Sequence, residues 1–432
     1  MLIHKIIPLF LFWFGSMLVS SCAFSQTLTQ GVPETGAQKE ISLDELLGEA
    51  AENNPEIRAS AHAAAASKAM IPAAGALPDP TVTFESMGRL APPTLMKGDP
   101  SSARTYGVEQ EFPFPGKRGL KESIASSEAQ AQEWNRELVN RRILSEVKQA
   151  YFDLFLITRS IDTLTKTREL LQNLTRVAEA RYQVGQTTQQ DVLKAQVEQS
   201  KLLDRLLALG QKKRVTEAKI NNLLHRASET PAGRPADLRK AELAYSLEEL
   251  TQLALSASPE LKAKESEITR RQYGVDLAKK EYYPDFAVGF TYYERDQNPE
   301  MYGLKLSAKL PLYFWQKQKP ELDAAKLNLS GARSMRDSTA STVQYQVKEI
   351  YTTAITLEKL ANLYSSAVIP QSNLALNSAI ANYQVGKIDF LQLIDASMSL
   401  LEYELKYYES MSEFHKALAQ LEPLIGVGLL NV

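Results

Sequence analysis

The 432-residue chain carries a net charge of −2, with four histidines, one cysteine and nine methionines. So neutral a balance excludes the basic surface that nucleic acid requires, and the scattered His, Cys and Met offer no spacing that fits a zinc, copper or haem site. No glycine-rich phosphate loop, nucleophile elbow or Ser/His/Asp spacing occurs, so the expectation is a protein without catalysis, cofactor or metal centre.

At the start, His4 and Lys5 precede an apolar run from Ile6 to Val19, too short and wrongly flanked for a spanning anchor. The run closes on Leu18-Val19-Ser20-Ser21-Cys22. Small residues directly before a cysteine resemble a bacterial lipoprotein box, which would leave Cys22 as a lipidated N-terminus. Ordinary cleavage after Ala23-Phe24-Ser25 would instead remove Cys22 and leave a mature chain without cysteine. Either way residues 1–21 read as a signal peptide, 22–41 as a linker, and the chain as exported. No later apolar run is long enough for a membrane helix.

From residue 42 the chain says the same thing twice. Ser42-Leu43-Asp44-Glu45-Leu46 returns as Ser246-Leu247-Glu248-Glu249-Leu250, Pro78-Asp79 as Pro284-Asp285, and Val147-Lys148-Gln149-Ala150-Tyr151 as Val347-Lys348-Glu349-Ile350-Tyr351. Ala180-Arg181-Tyr182-Gln183-Val184-Gly185 returns as Ala381-Asn382-Tyr383-Gln384-Val385-Gly386. Two structural repeats are therefore expected, 42–226 and 246–426, joined by a Pro/Gly-rich connector at 227–245 and followed by a tail at 427–432.

In chain order, the spacing predicts a short helix over 42–73 and two strands, Thr81–Met87 and Arg104–Phe112, with Val82/Phe84 and Tyr106/Val108/Phe112 as apolar faces. Between Pro115 and Pro231 there is no proline. Val147, Ala150, Leu154, Ile157, Ile161, Leu164, Leu171 and Ala178 follow a coiled-coil seam. A helix over Lys117–Arg181 would run roughly 98 Å, far beyond ordinary globular helices. Gly185 then supplies the left-handed residue of a turn. A return helix over 188–226 carries two stripes, Val192/Ala195/Leu202/Leu206/Leu209 and Leu193/Val197/Leu207; a helix with two seams packs on two neighbours, as in a closed ring.

The second repeat predicts a helix over 246–281, then strands Asp285–Tyr293 and Tyr302–Leu310. One face of the first holds Phe286, Val288, Phe290 and Tyr292; one face of the second holds Leu304, Leu306, Ala308 and Leu310, against Lys305 and Lys309. A helix over 320–367 follows, restarts at Pro370, turns at Gly386 and returns through Leu421. Each strand has about nine residues, the length of a tilted membrane strand, and tyrosines near strand ends suit an interfacial girdle. The alternative is a pair of soluble hairpins packed on the helices. Open sheet edges are not tolerated in lipid, and small membrane barrels need about eight strands. Four strands per chain therefore demand oligomerisation, and three chains would supply twelve.

These features resemble the TolC family of outer-membrane efflux ducts. The resemblance covers roughly 41–426 and rests on the paired turns Tyr182–Gly185 and Tyr383–Gly386, on Ile369-Pro370-Gln371 and on Leu418-Ala419-Gln420-Leu421-Glu422. Leu77-Pro78-Asp79-Pro80 and Phe112-Pro113-Phe114-Pro115-Gly116-Lys117 resemble the heavy-metal (CzcC-like) branch, although Pro113 and Pro115 also suit the end of a strand. The resemblance implies a mixed α+β membrane protein: a homotrimer with long helical hairpins forming an α-barrel in the periplasm and a shared 12-stranded β-barrel in outer-membrane lipid. It implies a periplasmic adaptor at the helical tips, an inner-membrane pump behind it and a conduit that catalyses nothing. A duct for protein secretion and a periplasmic coiled-coil scaffold or adaptor lipoprotein are the competing readings.

The same resemblance assigns adaptor docking to Tyr182, Val184, Gly185, Tyr383, Val385 and Gly386, where turn chemistry alone accounts for both glycines. It places Asp191 and Asp395 at a narrow periplasmic entrance, with Asp389 as an extra candidate and Gln392 where some relatives hold a second acid. Threefold symmetry would make any of these a ring attractive to cations; the plain alternative is a helix-end carboxylate near a positive dipole end. His62, His225 and His415 have no partner at ligand spacing.

Overall fold

The computed structural model describes residues 40–90, 93–238 and 242–430. The expected signal segment and Cys22 lie outside the described residues, as does the expected linker up to Lys39.

The chain alternates pairs of helices with pairs of strands. α1 (Leu43–Asn53) and α2 (Pro55–Gly75) lead into β2 (Thr81–Met87) and β3 (Ala103–Phe112), then α3 (Lys117–Gln183) and α4 (Gln189–Leu223). The same order follows in α5 (Leu247–Ala257), α6 (Pro259–Lys280), β5 (Asp285–Glu294), β6 (Met301–Lys309), α7 (Gln318–Leu363), α8 (Ile369–Gln384) and α9 (Phe390–Ile425). β1 (Glu40–Ile41) pairs in parallel with β4 (Arg234–Pro235), tying the end of the linker to the connector. Tyr151 Oη holds both, donating to the Ile41 carbonyl at 3.4 Å and accepting from the Ala236 N–H at 3.1 Å.

The duplicated Ser-Leu strings are helix caps. Ser42 Oγ accepts from the Asp44 N–H, and Ser246 forms a reciprocal capping box with Glu249, satisfying donors that a helix start leaves open. Each short helix expected over 42–73 and 246–281 is in fact two. Asn54 and Ser258 precede Pro55 and Pro259 and sit at ψ 125° and 121°, because a following proline pushes its predecessor out of the α region. At Pro370 the helix restarts as expected, but without a break in direction: a π-helical turn, Tyr364–Val368, joins α7 to α8, whose first turn holds Pro370, and the widened turn accommodates the N–H that Pro370 lacks.

α3 is 67 residues long. Its expected seam is buried at every position except Ile161, which is half-buried. Around the middle of α3, Val147, Ala150 and Leu154 pack with Leu43, Leu46 and Ile220. Nearer the tips, Leu164, Leu171 and Ala178 pack with Ala195, Leu202 and Leu393. A further core joins Leu250 and Leu261 to Val343, Val347 and Leu421. The two stripes of α4 separate as expected: Ala195 and Leu202 are buried, whereas Leu193, Val197 and Leu207 are 50–67% exposed.

The strands form one antiparallel sheet in the order β2-β3-β5-β6. Its register aligns the apolar residues of every strand in rows: Val82, Val108, Phe290 and Leu304 in one row, and Phe84, Tyr106, Tyr292 and Tyr302 in the next. Side chains alternate between faces, so these rows share one face.

Candidate functional site

Both faces of the sheet are defined by register. The apolar face is bare: Val82, Phe84, Val288, Phe290, Leu304 and Leu306 are all exposed. On the opposite face Thr83, Gly107, Thr291 and Gly303 share one row, and Glu109, Gly289 and Lys305 the next. Lys305 Nζ reaches Glu109 Oε2 at 2.7 Å across Gly289, and Lys309 lies opposite Asp285. At the far end Arg104 pairs with Glu294 at 3.4 Å, and Tyr106 Oη donates to the same carboxylate at 3.2 Å. An apolar face of this kind, free of charge along its middle rows and backed by a polar one, is what a half-lipid, half-water environment requires. No helix among the described residues is long and apolar enough to cross a membrane.

The joint between sheet and helices turns on Lys117. Gly116 adopts φ +92°, a conformation that side chains with a Cβ avoid, and this drops Lys117 into the joint. Its ammonium, 3% exposed, lies 2.9 Å from Asp285 Oδ1 and 3.0 Å from Glu281 Oε2, and donates to the Tyr283 carbonyl at 3.2 Å. The Phe114 N–H also donates to Asp285, at 2.8 Å. Burial draws the ammonium pKa down, but hydrogen bonds and charge from the two carboxylates outweigh it and hold it above the ordinary lysine value. The Phe-Pro-Phe-Pro-Gly-Lys string is therefore a built corner, with Phe114 stacked on Tyr283 at 4.5 Å between centroids.

At the opposite end the hairpin tips are two matching Schellman turns. The Gln186 N–H bonds to the Arg181 carbonyl at 2.9 Å and Gly185 adopts φ +73°; Lys387 bonds to Asn382 at 2.9 Å and Gly386 adopts φ +74°. Tyr182, Val184 and Val385 are exposed, and neither glycine has a neighbour that a Cβ would meet within 4 Å. Tyr383 differs from the expectation. Its ring is buried beneath the Arg181 guanidinium, 4.5 Å from the ring centroid, and packs on Phe390. Arg181 also donates to the Tyr383 and Gln384 carbonyls at 2.9 and 2.8 Å. The first tip thus caps the second, and Tyr383 belongs to the seam between them rather than to the exposed surface.

The three entrance carboxylates have different surroundings. Asp191 is the N3 residue of a capping box with Thr188. Asp389 is the N-cap of α9 and accepts the Gln392 N–H at 2.9 Å. Both therefore have a helix-end role in the single chain. Asp395 is exposed, nearly two turns further along α9, and makes no hydrogen bond or ion pair among the described residues. His415 is buried between Phe152 and Phe414, with Nδ1 2.8 Å from the Met411 carbonyl oxygen. No group of three or more His, Cys, Asp or Glu among the described residues could hold a metal ion.

The family model for the outer membrane efflux protein matches residues 46–224 and again 250–427. The chain belongs to the outer membrane efflux protein family. Among the members, the cobalt-zinc-cadmium resistance protein CzcC of Cupriavidus metallidurans is 22% identical over 423 residues, covering 94% of this chain and 95% of that protein. In fold, the outer membrane protein VceC of Vibrio cholerae superposes with a TM-score of 0.75 at 17% identity, over 90% of this chain and 97% of that one. CusC, whose structures describe folding and transmembrane channel formation, gives 0.78 at 15% identity, over 93% and 96%. The TolC-like resemblance read from the paired turns is thereby established for this efflux-family chain.

Two residues that shape the site lay unremarked in the sequence. Arg181 was signalled by its own repeat, since Arg181 and Asn382 are the one difference between the two tip hexapeptides. Lys117 sits in the string that suggested the heavy-metal branch, yet only the fold shows that its charge is buried.

Proposed function

We propose that this chain is the outer-membrane channel of a tripartite efflux system. Three copies close the sheet into a 12-stranded β-barrel and the long hairpins into a periplasmic α-barrel, a passive conduit whose energy comes from an inner-membrane pump. The observation that carries this reading is the bare apolar face on a sheet whose two edge strands, β2 and β6, have no second partner among the described residues. Lipid explains the face; neighbouring copies explain the edges, because unpaired backbone groups are not tolerated in a bilayer. The exposed second stripe of α4, Leu193/Val197/Leu207, supports the same closure in the helical region. A coiled-coil scaffold requires neither feature.

Tyr182, Val184, Gly185, Val385 and Gly386 then form the surface that meets a periplasmic adaptor, with Arg181 and Tyr383 holding the two tips as one. Asp395, exposed and unpaired, is the carboxylate best suited to line the entrance. Divalent metal cations are the cargo that fits best, given the cobalt-zinc-cadmium resistance of the CzcC relative. The experiment is to purify the protein from outer-membrane fractions and record from planar bilayers. The expected result is an SDS-resistant trimer that conducts weakly, prefers cations and is blocked by trivalent cations from the tip side, with Asp395→Ala relieving the block more than Asp191→Ala. A monomer that never conducts would remove the channel reading; unchanged block in Asp395→Ala would return that residue to the solvated helix surface.

A further inference from the structure

At the helical end of the sheet, the turn after β6 differs sharply from its counterpart after β3. The first turn folds its charge inward, through Lys117. The second presents Leu310, Leu312, Tyr313, Phe314 and Trp315 to the outside, each 48–68% exposed. Leu310 continues the alternation of Leu304, Leu306 and Ala308 and so extends the lipid-facing side of the sheet. Tyr313 and Phe314 pack edge-on against Trp315, with centroids 6.1 and 5.2 Å apart. The chain then coils back: the Lys317 N–H bonds to the Tyr313 carbonyl at 3.1 Å and the Lys319 N–H to the Phe314 carbonyl at 2.8 Å. Two lysines therefore follow one turn behind an aromatic cluster. Both are exposed and neither has an ion-pair partner among the described residues. Nearby acids are engaged elsewhere, Asp323 with Lys326 and Glu281 with Lys117; Glu321, in the first turn of α7, pairs with neither lysine.

Tyrosine and tryptophan favour the headgroup level of a bilayer, where one end is apolar and the other wet. Lysines directly beyond such a belt meet phosphate. We propose that Leu310–Trp315 with Lys317 and Lys319 form a binding site for an anionic phospholipid of the periplasmic leaflet, the acyl chains lying on Leu310 and Trp315 and the headgroup attracted by the two exposed lysines. The proposal rests on the membrane reading of the sheet. The side of the bilayer follows from the helices, which begin directly after this turn and extend into the periplasm.

Trp315 supplies its own probe. The chain has three tryptophans, of which Trp13 lies in the expected leader, whose removal would leave Trp134 and Trp315. In a Trp134→Phe background, the protein is reconstituted into phosphatidylcholine vesicles doped with an equal fraction of either brominated phosphatidylglycerol or brominated phosphatidylcholine. The bromine is placed near the headgroup end of the acyl chain. The expected result is quenching of Trp315 by both lipids, with an apparent preference of about five-fold for the anionic lipid. Lys317→Gln/Lys319→Gln should abolish the preference and leave the zwitterionic quenching unchanged. Equal quenching by both lipids in the parent protein overturns the site. So does an unquenched Trp315, which would mean that a neighbouring copy or water covers the turn. A reference variant, Leu306→Trp in a background lacking both other tryptophans, separates the two claims. Its quenching by bromine deep in the acyl chain shows the sheet to be in lipid whatever Trp315 does, and its failure overturns the membrane reading and this site together.

Discussion

Glu198 is a carboxylate almost shut off from solvent on α4, between the buried Ala195 and Leu202. Burial pushes its pKa up, but Lys201 at 2.9 Å and Lys194 at 3.3 Å outweigh burial and hold it below the ordinary glutamate value. A carboxyl depressed on folding contributes stability that is present above its unfolded pKa, about 4.3, and lost as pH falls through the lower folded value. The expected outcome is a melting temperature that declines below about pH 4.5, with a component worth up to about 1 kcal/mol that Glu198→Gln lacks. Thermal unfolding of both proteins between neutral and acid pH checks it; parallel pH profiles would show that the triad adds nothing. Lys117 obeys the opposite sign. Its raised pKa means that its contribution persists through neutral pH and fades only in strong alkali.

The sheet is the element on which the function depends, and its two faces make separable predictions. Val288 stands on the bare side in the row of Leu306 and Gln110, while Gly289, its neighbour, lies between Glu109 and Lys305. Val288→Arg is expected to cost about 2–4 kcal/mol of insertion free energy near the bilayer midplane. At Gly289 an added Cβ would meet Glu109 Oε2 and Lys305 Cβ at 3.5 Å, ordinary contact distances, so Gly289→Ser is expected to insert normally. Urea extraction and heat modification of membrane fractions measure both, and equal behaviour of the pair would contradict the assignment of faces. The strands were legible because alternation with period two survives in Phe286–Tyr292 and Tyr302–Leu310, and the long helices because a proline-free stretch carries a regular seam. Other features were not. The breaks at Asn54 and Ser258 depend on a single following proline each, whereas Pro370, which looks equally disruptive, is absorbed by a π-helical turn. Tyr383 matches Tyr182 in sequence yet is buried, because only the first tip has an arginine to fold over the second. The burial of Tyr383 belongs to a tertiary contact between the two tips.

At the scale of the whole molecule, the single chain is open where a channel must be closed. Among the described residues β2 and β6 end the sheet with one partner each, and α4 carries an apolar stripe that none of them covers. The proposed closure by neighbouring copies would join these observations: the β2 edge of one copy would meet the β6 edge of the next, the helical edges would follow, and the tips would converge around Asp395. It also assigns the aromatic and basic turn at Leu310–Lys319 to the rim where the barrel meets the helical tube. Because Cys22 is the chain's one cysteine, edge pairing can be read with introduced cysteines on a Cys22→Ser background. A cysteine at Thr83 on β2 is combined in turn with one at each position from Gly303 to Ser307 on β6, and membranes are oxidised and run on denaturing gels. The account predicts that one register, with weaker neighbours two residues away, gives a ladder that stops at three linked chains. No inter-chain link at any register, or a ladder that continues past three, would contradict a barrel shared by three copies.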